Sequence, residues 1–382
     1  MNPIYLDYNA TTPIDKEVAD AMLPFLSTHF GNPSSTHSYG IKARQAVTKA
    51  RRQIANFINC NPDEIIFTSG GTESNNYAIK GAALANRNKG NHIITSRIEH
   101  PAVIEVCQYL EKHDFEVTYL EVDGNGRIAM EDVANALRSS TILISVMHAN
   151  NEVGTIQPIK EIGEIARKKQ VLFHTDAAQS LGKIKADVQE LQVDLLSVAG
   201  HKIYAPKGVG ALYIRKGTML EKLIHGADHE MNLRAGTENV LEVVGLGKAC
   251  EIAGTSFEEN TKHMLKMRDS LEQGVLKHIP EAMVNGHATE RLPNTASISF
   301  PKIEANTMLS KMQEVAASAG AACHTGSIDI SSVLKAMRIP EEVAMGTIRF
   351  STGKYTTQQE IKEAVARIIR IVNKRVGKKN PD

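Results

Sequence analysis

From about Pro13 into the 240s, short apolar runs alternate with amphipathic helical stretches, and this order constrains the fold more than any other feature of the chain. Strands are expected at Ile65–Thr68, His92–Ser96, Glu116–Leu120, 142–147, 171–174, Leu195–Ala199 and 211–214. Helical periodicities separate several of them, as over 102–113 and 159–168, and the strongest, over 40–58, sets apolar residues three and four apart. A strand that pairs in parallel with its predecessor needs a long crossover, usually a helix, so the order predicts an α/β fold with a mostly parallel seven-stranded sheet. After Val240 the texture changes. A long helical stretch over 245–278 leads to a strand at 296–300, more helices and a strand at Thr347–Ser351. At 382 residues the chain exceeds what one core usually serves. A large α/β domain over 13–250 is therefore expected beside a smaller α+β domain built from 1–12 and 251–382.

Chemistry-bearing residues gather at strand ends. Asp194-Leu-Leu-Ser-Val-Ala-Gly-His-Lys202 closes an apolar strand on a His-Lys pair. Burial near a strand end lowers a lysine's pKa and makes it an amine nucleophile toward an aldehyde, although the same dipeptide is ordinary on a surface. The run Val171-Leu-Phe-His-Thr-Asp176 closes another strand on an acid. If both strands lie parallel in one sheet, their carboxyl ends share the rim where open α/β sheets bind ligands. An amine and an acid in one crevice suit pyridoxal phosphate, whose aldehyde bonds to a lysine and whose ring nitrogen is held protonated by a carboxylate. Ile65-Ile-Phe-Thr-Ser-Gly-Gly-Thr72 runs from a strand through two glycines into a helix start, a cup for phosphate. The nucleotide P-loop signature is absent, and taken alone this segment reads equally as a capped turn.

Asp7-Tyr-Asn-Ala-Thr-Thr-Pro13, Gly31-Asn-Pro-Ser-Ser35, Thr68-Ser-Gly-Gly-Thr-Glu-Ser-Asn75, Glu99-His100, Asn150-Asn-Glu152, His174-Thr-Asp-Ala-Ala-Gln179, Gly200-His-Lys202, Leu233-Arg-Ala-Gly-Thr-Glu-Asn239 and Gly320-Ala-Ala-Cys323 occur in that order over nearly the whole chain. In this the sequence resembles the cysteine desulfurase and selenocysteine lyase branch of the class V aminotransferases. The resemblance implies the type I fold of pyridoxal-phosphate transferases and a homodimer. It also implies roles: Lys202 carries the cofactor, Asp176 bonds its ring nitrogen, and Gln179 and Asn151 address the ring hydroxyl. His100 stacks on the ring and serves as an acid/base group. Gly71, Thr72 and His201 bind the phosphate, joined by Thr237 of the partner subunit, and Arg349 with Asn151 receives the substrate carboxylate. Without the resemblance, His100 reads as a packed or surface histidine and Arg349 as an exposed strand arginine.

Ser318-Ala-Gly-Ala-Ala-Cys-His-Thr-Gly-Ser-Ile-Asp329 reads as a mobile loop from its small residues and glycines, and a cysteine in such a place is exposed and reactive. The resemblance makes Cys323 the thiolate that takes sulfur from L-cysteine and hands it, as a persulfide, to an acceptor protein such as a scaffold or sulfur carrier. The acceptor's pathway stays open among iron–sulfur cluster assembly, tRNA modification, DNA sulfur modification and selenium metabolism. Cys60, Cys107 and Cys250 read as packing residues. Three departures from the desulfurase pattern stand out: Ala199 before Gly-His-Lys, Asp228 within Gly226-Ala-Asp-His-Glu230, where it is expected near the cofactor rim, and Ala-Ala-Cys323-His. The last is similar to selenocysteine lyase, so L-selenocysteine is the alternative substrate, and a non-catalytic scaffold on the same fold is the alternative of another class.

Lys+Arg 44 against Asp+Glu 43 offers no global attraction for nucleic acid or a membrane surface. No run approaches the roughly 20 apolar residues of a membrane span, and the amino terminus lacks a secretory pattern. The four cysteines show no metal-ligand spacing, which favours reduced thiols, no metal and a cytoplasmic location. The basic stretch over 372–382 reads as a solvated end.

Overall fold

The computed structural model describes residues 3–324 and 327–376, without the side chains of 321–324, 327–329, 375 and 376. Its main sheet has seven strands in the order Ile65–Thr68, Gly210–Ile214, Leu195–Ala199, Leu172–Asp176, Thr141–Ser145, His92–Ser96, Glu116–Leu120. Gly210–Ile214 runs antiparallel to both its neighbours, and all other pairs are parallel. The expected mostly parallel sheet is present, with strand limits shifted by a residue or two.

Alternation along the strands sends side chains into two apolar layers. Ile65, Phe67, Leu196 and Val198 join Val47, Ile54 and Ile58 of the helix Ser38–Ile58 on one face. Ile66 and Leu195 join Tyr77, Ala82, Val103 and Cys107 of the helices Gly71–Ala85 and Pro101–Glu111 on the other. Covered on both faces, the central strands carry apolar side chains to either side, as in other parallel sheets.

A second, antiparallel sheet has the order Ser318–Ala319, Thr347–Ser351, Thr295–Ser299, Met283–Asn285. Its Ile298, Ile348 and Phe350 pack against Met267, Leu271 and Val275 of the helix Phe257–His278 and Ile361, Val365 and Ile368 of Gln358–Val376. The amino-terminal segment reaches this region: Ile4–Tyr5 pairs in parallel with Val315–Ala316, and Asp7 bridges Ser351. Val333, Leu334 and Met337, however, pack into the first layer of the main sheet.

Two expectations are corrected. The long helix over 245–278 is two helices, Val240–Thr255 and Phe257–His278, parted at Ser256. Thr255 Oγ1 donates to the carbonyls of Glu251 (2.8 Å) and Ile252 (3.1 Å), so a side chain takes up acceptors of the last turn. The segment around Cys323 is a β-hairpin instead of an irregular loop: Ala321–His324 pairs antiparallel with Ser327–Ile330, Cys323 opposite Ile328. Its base is tied by Gly320 N donating to Thr347 O (2.8 Å) and Ser331 N to Gly320 O (3.2 Å), hydrogen bonds that small residues leave open to the backbone. Among the described residues no helix is long and apolar enough to cross a membrane.

Candidate active site

Leu172–Asp176 and Leu195–Ala199 are adjacent and parallel, with Asp176 opposite Ser197. Their carboxyl ends therefore open on one rim, and His92–Ser96 and Thr141–Ser145 end on the same side. A cavity of about 350 Å³ lies there, lined among others by Gly71, Thr72, His100, Asn151, Asp176, Gln179, His201, Lys202 and Arg349. These nine expected site residues come from six separate stretches of chain. Ala199 also lines the cavity, whereas Asp228 is exposed and outside the lining, which corrects its expected place at the rim. Thr237 is exposed and outside the lining of its own chain's cavity.

Asp176 is 7% exposed and held at both oxygens: Oδ1 accepts from Ala178 N (2.8 Å) and Oδ2 from Asn75 Nδ2 (2.7 Å). Asn75 had no role assigned from sequence. It stands one helical turn after Gly71 on the same face, so a polar residue in register with the phosphate cup was the available signal. Lys202 Nζ donates to the carbonyls of Asn9 (2.6 Å) and Ala10 (2.8 Å). Burial, then the positive charge of Arg349, push its amine down to about 8, against the pull of Asp176 and Asp7. A usable fraction of neutral amine follows near neutral pH.

His100 caps the helix Pro101–Glu111, its Nδ1 accepting from Ala102 N (3.1 Å), which places the proton of the neutral ring on Nε2. Surrounding protein lowers His100 below the usual histidine range, with Asp176 opposing and Lys202 adding to the shift. His201 is pushed down to about 4 by burial and by Lys202, Lys207 and Lys183. Beside His100, Glu99 is buried, its Oε1 accepting from Ser96 Oγ (2.6 Å) and Met147 N (2.9 Å). Burial lifts this carboxyl to about 8, so it is largely protonated at neutral pH.

Arg349, from the second sheet, reaches across to the rim. Nη1 donates to Asn151 O (3.0 Å), and Nη2 to Asp7 Oδ1 (2.9 Å) and Ser318 Oγ (3.0 Å). Its Nε is buried without a partner. The amino-terminal segment thus holds the guanidinium, a pairing of residues 342 apart in sequence.

At the cup, Gly70 has φ +149°, a conformation that favours glycine, and the helix Gly71–Ala85 starts with no side-chain cap. A Cβ on Gly71 would meet Ala199 Cβ at 3.2 Å, so both small residues keep the approach to that helix start narrow but open. An uncapped helix start for a phosphate, a held carboxylate for a ring nitrogen and a partly neutral amine for an aldehyde form a donor set that fits pyridoxal phosphate.

The hairpin sets the Cys323 backbone opposite Ile328, while its thiol lies outside the described side chains. Burial pushes the Cys60 and Cys250 thiols up to about 12 and raises Cys107 further, as suits packing residues.

Residues 4–364 match the family model of the class V aminotransferases. The cysteine desulfurase IscS of Dictyoglomus turgidum is 50% identical over 373 residues, 97% of this chain and 95% of that protein. The protein of the same name from Methanosarcina thermophila is 49% identical over 97% of this chain and 92% of its own length. Among solved structures, a NifS-like protein superposes with a TM-score of 0.92 at 39% identity, over 97% of this chain and 99% of that one. SspA, solved in complex with cysteine, superposes with a TM-score of 0.82 at 38% identity, over 93% of this chain and 100% of that one.

Proposed function

Because the chain belongs to the class V aminotransferase family, we propose that it is a cysteine desulfurase, converting L-cysteine to L-alanine with pyridoxal 5'-phosphate and passing the sulfur to Cys323 as a persulfide. The observation that carries this reading is the delivery of Asp176 and Lys202, by adjacent parallel strands, to the one cavity that Arg349 also enters. In this reading a large unit over 13–250 holds the cofactor, and 1–12 with 251–382 forms the smaller unit that brings Arg349 and Cys323.

Bound in this cavity, pyridoxal 5'-phosphate supplies an aldehyde for the amine and an electron-withdrawing ring that takes up charge from an amino acid's α-carbon. Lys202, with its lowered pKa, holds the cofactor at rest and, once freed, accepts the α-carbon proton at Nζ. Asp176, steadied by Asn75 and Ala178, holds the ring nitrogen. His100 presents its Nε2 proton as a donor to the incoming amino acid. Arg349, held at the rim by Asn151 O, Asp7 and Ser318, binds the substrate carboxylate through its charge and the Nη1 hydrogen that Asn151 leaves free. At Cys323 an S–S bond forms as the substrate's C–S bond breaks and alanine leaves. The sulfur then passes to an acceptor protein. Thr237, exposed and away from its own cavity, fits a homodimer in which each subunit completes the other's phosphate site.

The direct test is alanine release from L-cysteine, paired with a mass measurement for a sulfur adduct on Cys323. Purified protein that neither takes up pyridoxal phosphate nor forms alanine sinks the proposal. Two further outcomes follow from the site. Uptake of the cofactor by cofactor-free protein should quicken as pH rises through about 8, because only the unprotonated Lys202 amine attacks the aldehyde; a rate flat from pH 6 to 9 by absorbance stopped flow would contradict this. Arg349→Ala should raise KM for L-cysteine by about 100-fold with a smaller change in kcat, and Arg349→Lys, which keeps the charge but loses the fork, should recover only part of it.

A further inference from the structure

Behind the cavity wall stands a lysine that the chemistry above does not use. Lys183 is 5% exposed, and its Nζ donates to Gln179 Oε1 (2.8 Å) and to Asn9 Oδ1 (3.2 Å). Gln179 lines the cavity, and its Nε2 donates to Asn9 O (2.9 Å), the same oxygen that accepts from Lys202. Asn9 is itself pinned: Oδ1 also accepts from Asn294 Nδ2 (2.9 Å), and Nδ2 donates to Asn151 O (3.1 Å) and Thr295 Oγ1 (2.8 Å).

These contacts leave the Gln179 amide one orientation. Turned over, it would set Oε1 against the carbonyl oxygen of Asn9, which has no proton to give, and would lose the Lys183 bond to its oxygen. In the observed orientation Oε1 is engaged from behind and one Nε2 hydrogen is spent on Asn9, so the second Nε2 hydrogen is what remains for the cavity. We propose that Lys183 is a positioning residue that locks the Gln179 amide as a donor toward the cavity, and that the group it recognises is an anionic ring oxygen of the bound cofactor, an inference that rests on the function proposed above. Burial holds the Lys183 amine well below its ordinary range, with Lys202 and Arg349 adding to the shift. Its two acceptors, Gln179 and Asn9, take two of its hydrogens.

The test compares holoprotein carrying Lys183→Met, Gln179→Leu and both, reading the pH midpoint of the bound cofactor's visible absorbance. An N–H bonded to the ring oxygen favours its anion, so losing the bond should raise the midpoint, by about one pH unit for a tenfold change in equilibrium. Lys183→Met and Gln179→Leu should each give this rise, and the double variant no more than either alone. A wild-type midpoint in Lys183→Met, or shifts that add in the double variant, would overturn the inference while leaving the desulfurase reading intact. Wild-type protein with no visible band after exposure to pyridoxal 5'-phosphate would overturn both. If Lys183→Met fails to fold, Lys183→Gln, whose amide is too short to reach Gln179 and Asn9 together, carries the same expectations.

Discussion

Lys202→Ala should be a folded protein that forms no detectable alanine from L-cysteine, a loss of more than about 1000-fold, and that lacks the visible band of covalently held cofactor. Lys202 is the one lysine among the described residues lining the cavity, so no second amine stands ready for the aldehyde. Lys183, behind the cavity wall, is tied to Gln179 and Asn9. The fold should tolerate the change because the carbonyls of Asn9 and Ala10, which Lys202 now engages, face a cavity that admits water. The phosphate cup and Asp176 remain, so the variant should still bind the cofactor reversibly. Absorbance spectra before and after dialysis, together with alanine release, check both halves. Normal turnover in this variant would remove the basis of the proposed function.

Cys323→Ser should separate the two halves of the chemistry. Cofactor absorbance should be unchanged, while alanine release from L-cysteine should fall by about 1000-fold and the sulfur adduct should vanish. A hydroxyl does not take up sulfur. The other three thiols cannot substitute, because burial holds each above the ordinary range and so in the unreactive protonated form. An ordinary thiol is only a few per cent ionised at neutral pH, so Cys323 needs a thiolate-favouring environment that a selenol substrate does not demand. Alanine release from L-selenocysteine should accordingly fall far less. Undiminished L-cysteine turnover in Cys323→Ser would sink the persulfide step, and a wild-type protein active on L-selenocysteine alone would move the assignment to the lyase suggested by Ala-Ala-Cys323-His.

Sequence periodicity and strand-end chemistry determined the main sheet, the helices on its faces and the placing of Lys202, Asp176 and Gly71-Thr72 at strand ends, because these follow from local repeats and from residues within one turn or strand. Family likeness added His100, Asn151, Gln179, His201 and Arg349, which no local pattern singles out. Tertiary structure alone decided the rest. Asn9 meets Gln179 across 170 residues and Asp7 meets Arg349 across 342, Asn75 on a helix steadies Asp176 at a strand end, and Asp228 falls outside the cavity despite its place in a site-like motif. The lowered pKa of Lys202 belongs with these, since burial and the field of Arg349 set it and neither exists before the two sheets meet. A hydrophobic repeat is written in neighbouring residues, whereas a hydrogen bond or a local field depends on distances that only the folded chain creates.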